Sequence, residues 1–174
     1  VGFVFAPSPR QVAVAHARSI ASRLPPEILT IGVFRDETPG RVVDMVNSAG
    51  LRAAQLHGHE TAEQTRWVRE RLPLVIKAFV AGDPELDRLD DYGADAVVVD
   101  SPQPGSGQIF DWSLAEGAPP GRRIILAGGL TPDNVAAAIE RVRPWGVDVA
   151  TGVELEGGPP GHKDARKVRA FIEN

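Results

Sequence analysis

Residues 124–135, Ile-Ile-Leu-Ala-Gly-Gly-Leu-Thr-Pro-Asp-Asn-Val, and residues 147–154, Val-Asp-Val-Ala-Thr-Gly-Val-Glu, decide how this chain folds. Each opens as an apolar run of strand length and ends in small residues, and the first leads into a segment with helical spacing at 132–141. Thr131 before Pro132 predicts an N-cap followed by proline at the first helical position. Outward from these stretches the same unit recurs. Further strands are expected at residues 1–5, 29–34, 52–56, 74–79 and 96–99, beside 124–127 and 147–150. Helices are expected at 12–24, 39–49, 61–72, 84–92, 111–116, 132–141 and 163–172, with Gly50 as a helix stop. Strands apolar on both faces and joined by helices call for crossover connections and hence a parallel sheet.

An open doubly wound sheet and a closed barrel share that alternation. No G-x-G-x-x-G follows an early strand, whereas small glycine loops after the last two strands are where barrels of eight βα units hold phosphate. The expected fold class is therefore α/β, a (β/α)8 TIM barrel. Eight units need at least about 200 residues, and this chain has 174. Since it opens on a strand and closes on a helix, the first strand and helix are expected to be absent from it. Residues 1–174 then form a single phosphate-binding barrel domain, incomplete at its N-terminus.

Composition removes several classes of function. Hydrophobic residues make up 43% and charged residues 24% of the chain, the balance of an ordered globular domain. A formal charge of -4, a pI of about 5.6 and the lack of long basic runs predict no nucleic-acid partner. No apolar stretch approaches the roughly 18–20 residues that cross a bilayer, and residues 1–5 lack the basic region of a signal peptide. No membrane partner and a cytoplasmic location are expected. The absence of cysteine removes disulfides, thiolate metal sites and a cysteine nucleophile from these residues.

In such barrels chemistry sits at the carboxyl ends of the strands. Asp100 ends an all-valine run and is the strongest acid/base candidate; the loop after it runs through Gly105-Ser106-Gly107. The backbones of Gly128, Gly129, Thr151 and Gly152 are expected to bind phosphate, because glycine lets N–H groups approach closely and the helix starting near Pro132 favours a dianion. Asp148 either supports this loop or is a turn residue. His57 and His59 lie two apart beside Glu60, but two histidines without a third clustered ligand predict no metal centre. His59 with Glu60 is expected to start a helix, and His16 and His162 to lie on the surface. Lys77, in an apolar strand, is expected to pair with an acid rather than act as a Schiff-base lysine. Trp67 and Trp145 are expected to pack the outer layer.

Several stretches, in order, resemble the phosphoribosylanthranilate isomerase family: Gly2-Phe3-Val4-Phe5 with Ser8-Pro9-Arg10, Gly32-Val33-Phe34, Gln55-Leu56-His57-Gly58, Ile76-Lys77-Ala78, Gly105-Ser106-Gly107 with Phe110-Asp111-Trp112, Ala127-Gly128-Gly129-Leu130 with Asn134-Val135, and Thr151-Gly152-Val153-Glu154. The resemblance implies a cofactor-free isomerase of tryptophan biosynthesis, a monomer or homodimer. It would convert the small molecule N-(5'-phosphoribosyl)anthranilate to 1-(o-carboxyphenylamino)-1-deoxyribulose 5-phosphate by an Amadori rearrangement. It further implies Asp100 as general acid, Arg10 facing the anthranilate carboxylate, and Gln55 and His57 lining the substrate. The family's general base, a cysteine on its first strand, has no counterpart here, so residues 1–174 alone are expected to be inactive if it is missing. Another phosphosugar epimerase or synthase on the same barrel, or a non-catalytic phosphate-binding module, would keep the glycine loops without needing Arg10.

Overall fold

The computed structural model describes residues 1–101 and 121–174; the expected helix at 111–116, Trp112 and the Gly105-Ser106-Gly107 motif lie outside them. Among the described residues the strands are β1 (Gly2–Val4), β2 (Ile31–Phe34), β3 (Ala53–Leu56), β4 (Val75–Val80), β5 (Ala96–Asp100), β6 (Ile124–Leu126) and β7 (Gly146–Val147). The helices are α1 (Val14–Ala21), α2 (Pro39–Ala49), α3 (Ala62–Arg69), α4 (Leu89–Tyr92), α5 (Val135–Val142) and α6 (Ala165–Glu173). The chain forms two compact units, one of Val1–Ala78 and Arg88–Ala96, the other of Phe79–Asp87 and Val97–Asn174.

In the first unit β1, β2, β3 and β4 pair in chain order and in parallel, with Val33 opposite Gln55 and Leu56 opposite Lys77. The core between this sheet and its helices holds Phe3, Phe5, Phe34, Val42, Val46, Leu56, Val68 and Val75. Each such side chain, fully buried, contributes about 1.5–3 kcal/mol. Gly32 makes room for two of them: a Cβ there would press to 2.8 Å on the Phe34 ring and 3.0 Å on that of Phe5, which pack with centroids 5.3 Å apart. Helix α2 buries Val42, Val46 and Ala49 at helical spacing. It ends where the sequence places its stop, with Gly50 left-handed at φ 65°. The Gly50 amide donates to the Asn47 carbonyl and the Leu51 amide to that of Val46, a Schellman closure sealed by the buried Val46 and Leu51. Helix α3 opens on a reciprocal capping box between Thr61 and Gln64.

In the second unit β5, β6 and β7 are parallel, with Val99 opposite Leu126 and Leu126 opposite Val147. Three local expectations change. The segment 84–92 is a 3-10 turn (Pro84–Arg88) leading into the four-residue α4. β7 stops at Val147, although the Asp148 amide still donates to the Leu126 carbonyl, because the chain then bends into a 3-10 turn at Thr151–Val153. Helix α5 begins at Val135, three residues beyond Pro132. Asn134 explains the delay, since its side chain accepts from the Thr131 amide at 2.8 Å and donates to the Gly129 carbonyl at 3.0 Å. Residues 131–134 are thereby held as a turn, and Thr131 makes no side-chain cap.

Candidate active site

In the second unit the groups of interest follow the carboxyl ends of three parallel strands. Asp100, the last residue of β5, is 7% exposed, and its Oδ1 accepts the Ser101 amide at 2.7 Å. Beyond β6, Gly128 and Gly129 have φ 91° and 66°, conformations open to glycine and strained for other residues. A Cβ at Gly128 would lie 2.6 Å from the Ser101 Cβ and 2.8 Å from Asp100 Oδ1, so only a bare backbone can sit against this carboxylate. Beyond β7, a Cβ at Gly152 would overlap the Leu130 carbonyl oxygen and lie 3.1 Å from the Thr131 Cα. The two glycine turns thus touch each other, and one of them touches Asp100.

Two staples absent from the sequence reading hold these turns. Asn134 clips Gly129 to Thr131. Lys163 Nζ donates to the Ala150 carbonyl at 2.7 Å and to Glu154 Oε1 at 3.1 Å, the same oxygen that accepts the Gly161 amide. Thr151 sits between, in the 3-10 turn. The signal for Asn134 was in plain view, since a side chain able both to donate and to accept stood five residues after Gly129.

In the first unit, Gln55 on β3 is buried and its Nε2 lies 2.8 Å from His57 Nδ1, while the His57 amide donates to the Phe34 carbonyl. Arg10 is half-buried in the loop after β1, where its amide donates to Ser8 Oγ. Lys77 is fully buried and pairs with Glu60 at 3.1 Å. Its ammonium also donates to the carbonyls of Leu56, Gly58 and Ala78, which removes it as a nucleophile. Glu60 further accepts the amides of Asp36 and Gly58. It is therefore a buried anchor and not a helix start, and Thr61 caps α3 instead. His59 reaches back to Asp36, its amide donating to Oδ1 at 2.6 Å. That bond chiefly, opposed by burial and aided by the His59 ring and Arg35, holds the Asp36 carboxyl below its usual value near 3.8. His16 and His162 are exposed. Trp67 and Trp145 are 38% and 63% exposed, each beneath an arginine, Arg71 and Arg123, so they lie on the surface rather than inside a layer.

Parallel β/α architecture in which polar groups follow the carboxyl ends of the strands is the arrangement found in enzymes of the β/α barrel class. The family model described as N-(5'phosphoribosyl)anthranilate (PRA) isomerase matches residues 1–174, and the N-(5'-phosphoribosyl)anthranilate isomerase of Desulforudis audaxviator is 48% identical over 99% of this chain and 85% of its own length. The chain belongs to the phosphoribosylanthranilate isomerase family. A crystal structure of phosphoribosyl anthranilate isomerase from Thermus thermophilus superposes with a TM-score of 0.89 at 40% identity, covering 99% of this chain and 84% of that one. Another, in complex with reduced 1-(o-carboxyphenylamino)-1-deoxyribulose 5-phosphate, gives 0.84 at 39% identity, covering 100% and 85%.

Proposed function

We propose that this protein isomerises N-(5'-phosphoribosyl)anthranilate to 1-(o-carboxyphenylamino)-1-deoxyribulose 5-phosphate in tryptophan biosynthesis, in the cytoplasm and without a cofactor. The observation that carries this reading is the seating of Gly128 against Asp100. A phosphate held by the backbones of Gly128, Gly129, Thr151 and Gly152 brings the attached sugar to that carboxyl. Asp100, as general acid, gives its proton to the furanose oxygen; the C1'–O bond breaks and the anilino nitrogen becomes a protonated Schiff base. A base then takes the C2' proton, and the enolamine that forms picks up a proton at C1' as its 2'-hydroxyl becomes the ketone. The sum is an isomerisation, with no atom gained or lost.

Arg10 is assigned to the anthranilate carboxylate, which its planar fork can bind through two hydrogen bonds, and Gln55 and His57 to the lining of the substrate. The base is the cysteine thiolate that the family resemblance implies, placed on a strand preceding Val1 that completes an eight-unit barrel domain. That the relatives are longer than this chain supports this assignment, and the upstream coding sequence tests it. The activity is tested by following the fluorescent substrate with the natural full-length protein. Turnover is expected, and Asp100→Asn should lower kcat by about 10²–10⁴, the usual worth of a positioned general acid. A folded protein without turnover overturns the reading.

A further inference from the structure

Ser101 stands apart from every other polar residue of the site. Its side chain is 2% exposed, and its Oγ is the buried side-chain atom without a hydrogen-bond partner among the described residues. Buried hydroxyls are nearly always satisfied, and one that is not weighs against the fold that contains it. Such an exception calls for an explanation, and a functional role is one. The position supplies the rest. Ser101 Cβ and Asp100 Oδ1 both lie within 2.8 Å of the single point a Gly128 side chain would occupy, so Ser101 and the carboxylate pack side by side on the same bare stretch of glycine backbone.

We infer that Ser101 is a further substrate-binding residue, whose hydroxyl is completed by a ribose oxygen of the bound phosphosugar. This rests on the isomerase reading above. The ribose rather than the phosphate is assigned to it by the order of contacts. Asp100 and Ser101 meet the loop at Gly128, whereas Gly152 meets it at Leu130 and Thr131, so Ser101 lies on the acid's side of the phosphate cradle. The role is distinct from that of Asp100, because a serine hydroxyl can donate to and accept from a sugar oxygen without changing charge.

The test is Ser101→Ala in the natural full-length protein, read by thermal unfolding and by equilibrium binding of two probes, reduced 1-(o-carboxyphenylamino)-1-deoxyribulose 5-phosphate and inorganic phosphate. The free variant should melt at the same temperature as the parent or higher, since an unsatisfied hydroxyl has been removed. Its Kd for the reduced product should rise roughly tenfold, about 1.4 kcal/mol, with the Kd for phosphate unchanged. An unchanged Kd for the reduced product, or equal weakening of both probes, overturns the inference. So does a variant that melts lower or fails to fold, for then the hydroxyl is already satisfied in the free protein. If the parent itself does not bind the reduced product, the isomerase reading falls first and this one with it, an outcome distinguishable from failure of the variant alone.

Discussion

At the scale of single residues, the first unit is governed by a charge that had to be buried in pairs. Lys77 and Glu60 are 2% and 3% exposed at their side chains, and between them they engage three carbonyls and two amides from the ends of β2, β3 and β4. Leaving one ion of such a pair without the other is expensive, because neither water nor a partner then compensates it. Lys77→Met should therefore destabilise the protein by about 3–5 kcal/mol in urea titrations. The double variant Lys77→Met/Glu60→Gln should cost clearly less than the sum of the two single changes; simple additivity would mean that the two side chains act independently.

Asp36 gives a prediction with a defined sign. Its carboxyl is depressed in the folded state below 3.8, so its contribution to stability is fully present above its unfolded value and is lost as pH falls through the folded one. The side chain is half exposed, and the effect is small for that reason. Asparagine tolerates the left-handed backbone that Asp36 adopts at φ 54°, and it keeps the acceptor for His59. Urea midpoints of the parent and Asp36→Asn should hence converge as pH drops below about 4 and separate in favour of the parent above it. A gap that is constant from pH 3 to pH 7 contradicts the assignment.

At the scale of elements, boundaries were legible where a side chain or a glycine closes the helix by itself. Pro39 and Gly50 bracket α2, and both were readable because a fixed φ at one end and a left-handed residue at the other act locally. Thr61 likewise caps α3 through Gln64, so Thr61→Ala should cost about 1 kcal/mol in unfolding experiments, while Thr61→Ser should cost much less. The start of α5 was misplaced by three residues for the opposite reason. Thr131-Pro132 is a sound local signal, but Asn134 ties Thr131 to Gly129 and the helix waits. A side chain that folds back on the preceding loop is a tertiary event in miniature, and periodicity does not register it.

At the scale of the whole molecule, the reaction asks for recognition at both ends of the substrate, phosphate and anthranilate. Arg10→Ala should weaken binding of the reduced product by roughly tenfold or more, as expected for a charged hydrogen-bonding partner, and leave inorganic phosphate binding unaltered. A phosphosugar enzyme that does not use the aromatic carboxylate would show no such split between the two ligands. Ligand binding should also raise the melting temperature by mass action, in proportion to the logarithm of ligand concentration over Kd.

The alternation of apolar runs with helical spacing determined the parallel β/α architecture. Strand periodicity and helix capping are properties of a few consecutive residues, and the glycine loops and Asp100 could be named from their places at strand ends. Only the tertiary structure decided that Gly152 packs on Leu130 and Gly128 on Asp100, that Glu60 and not another acid neutralises Lys77, and that Ser101 is left buried without a partner. Those facts depend on which backbone atoms approach across tens of residues of intervening chain, and no local pattern encodes a distance of that kind.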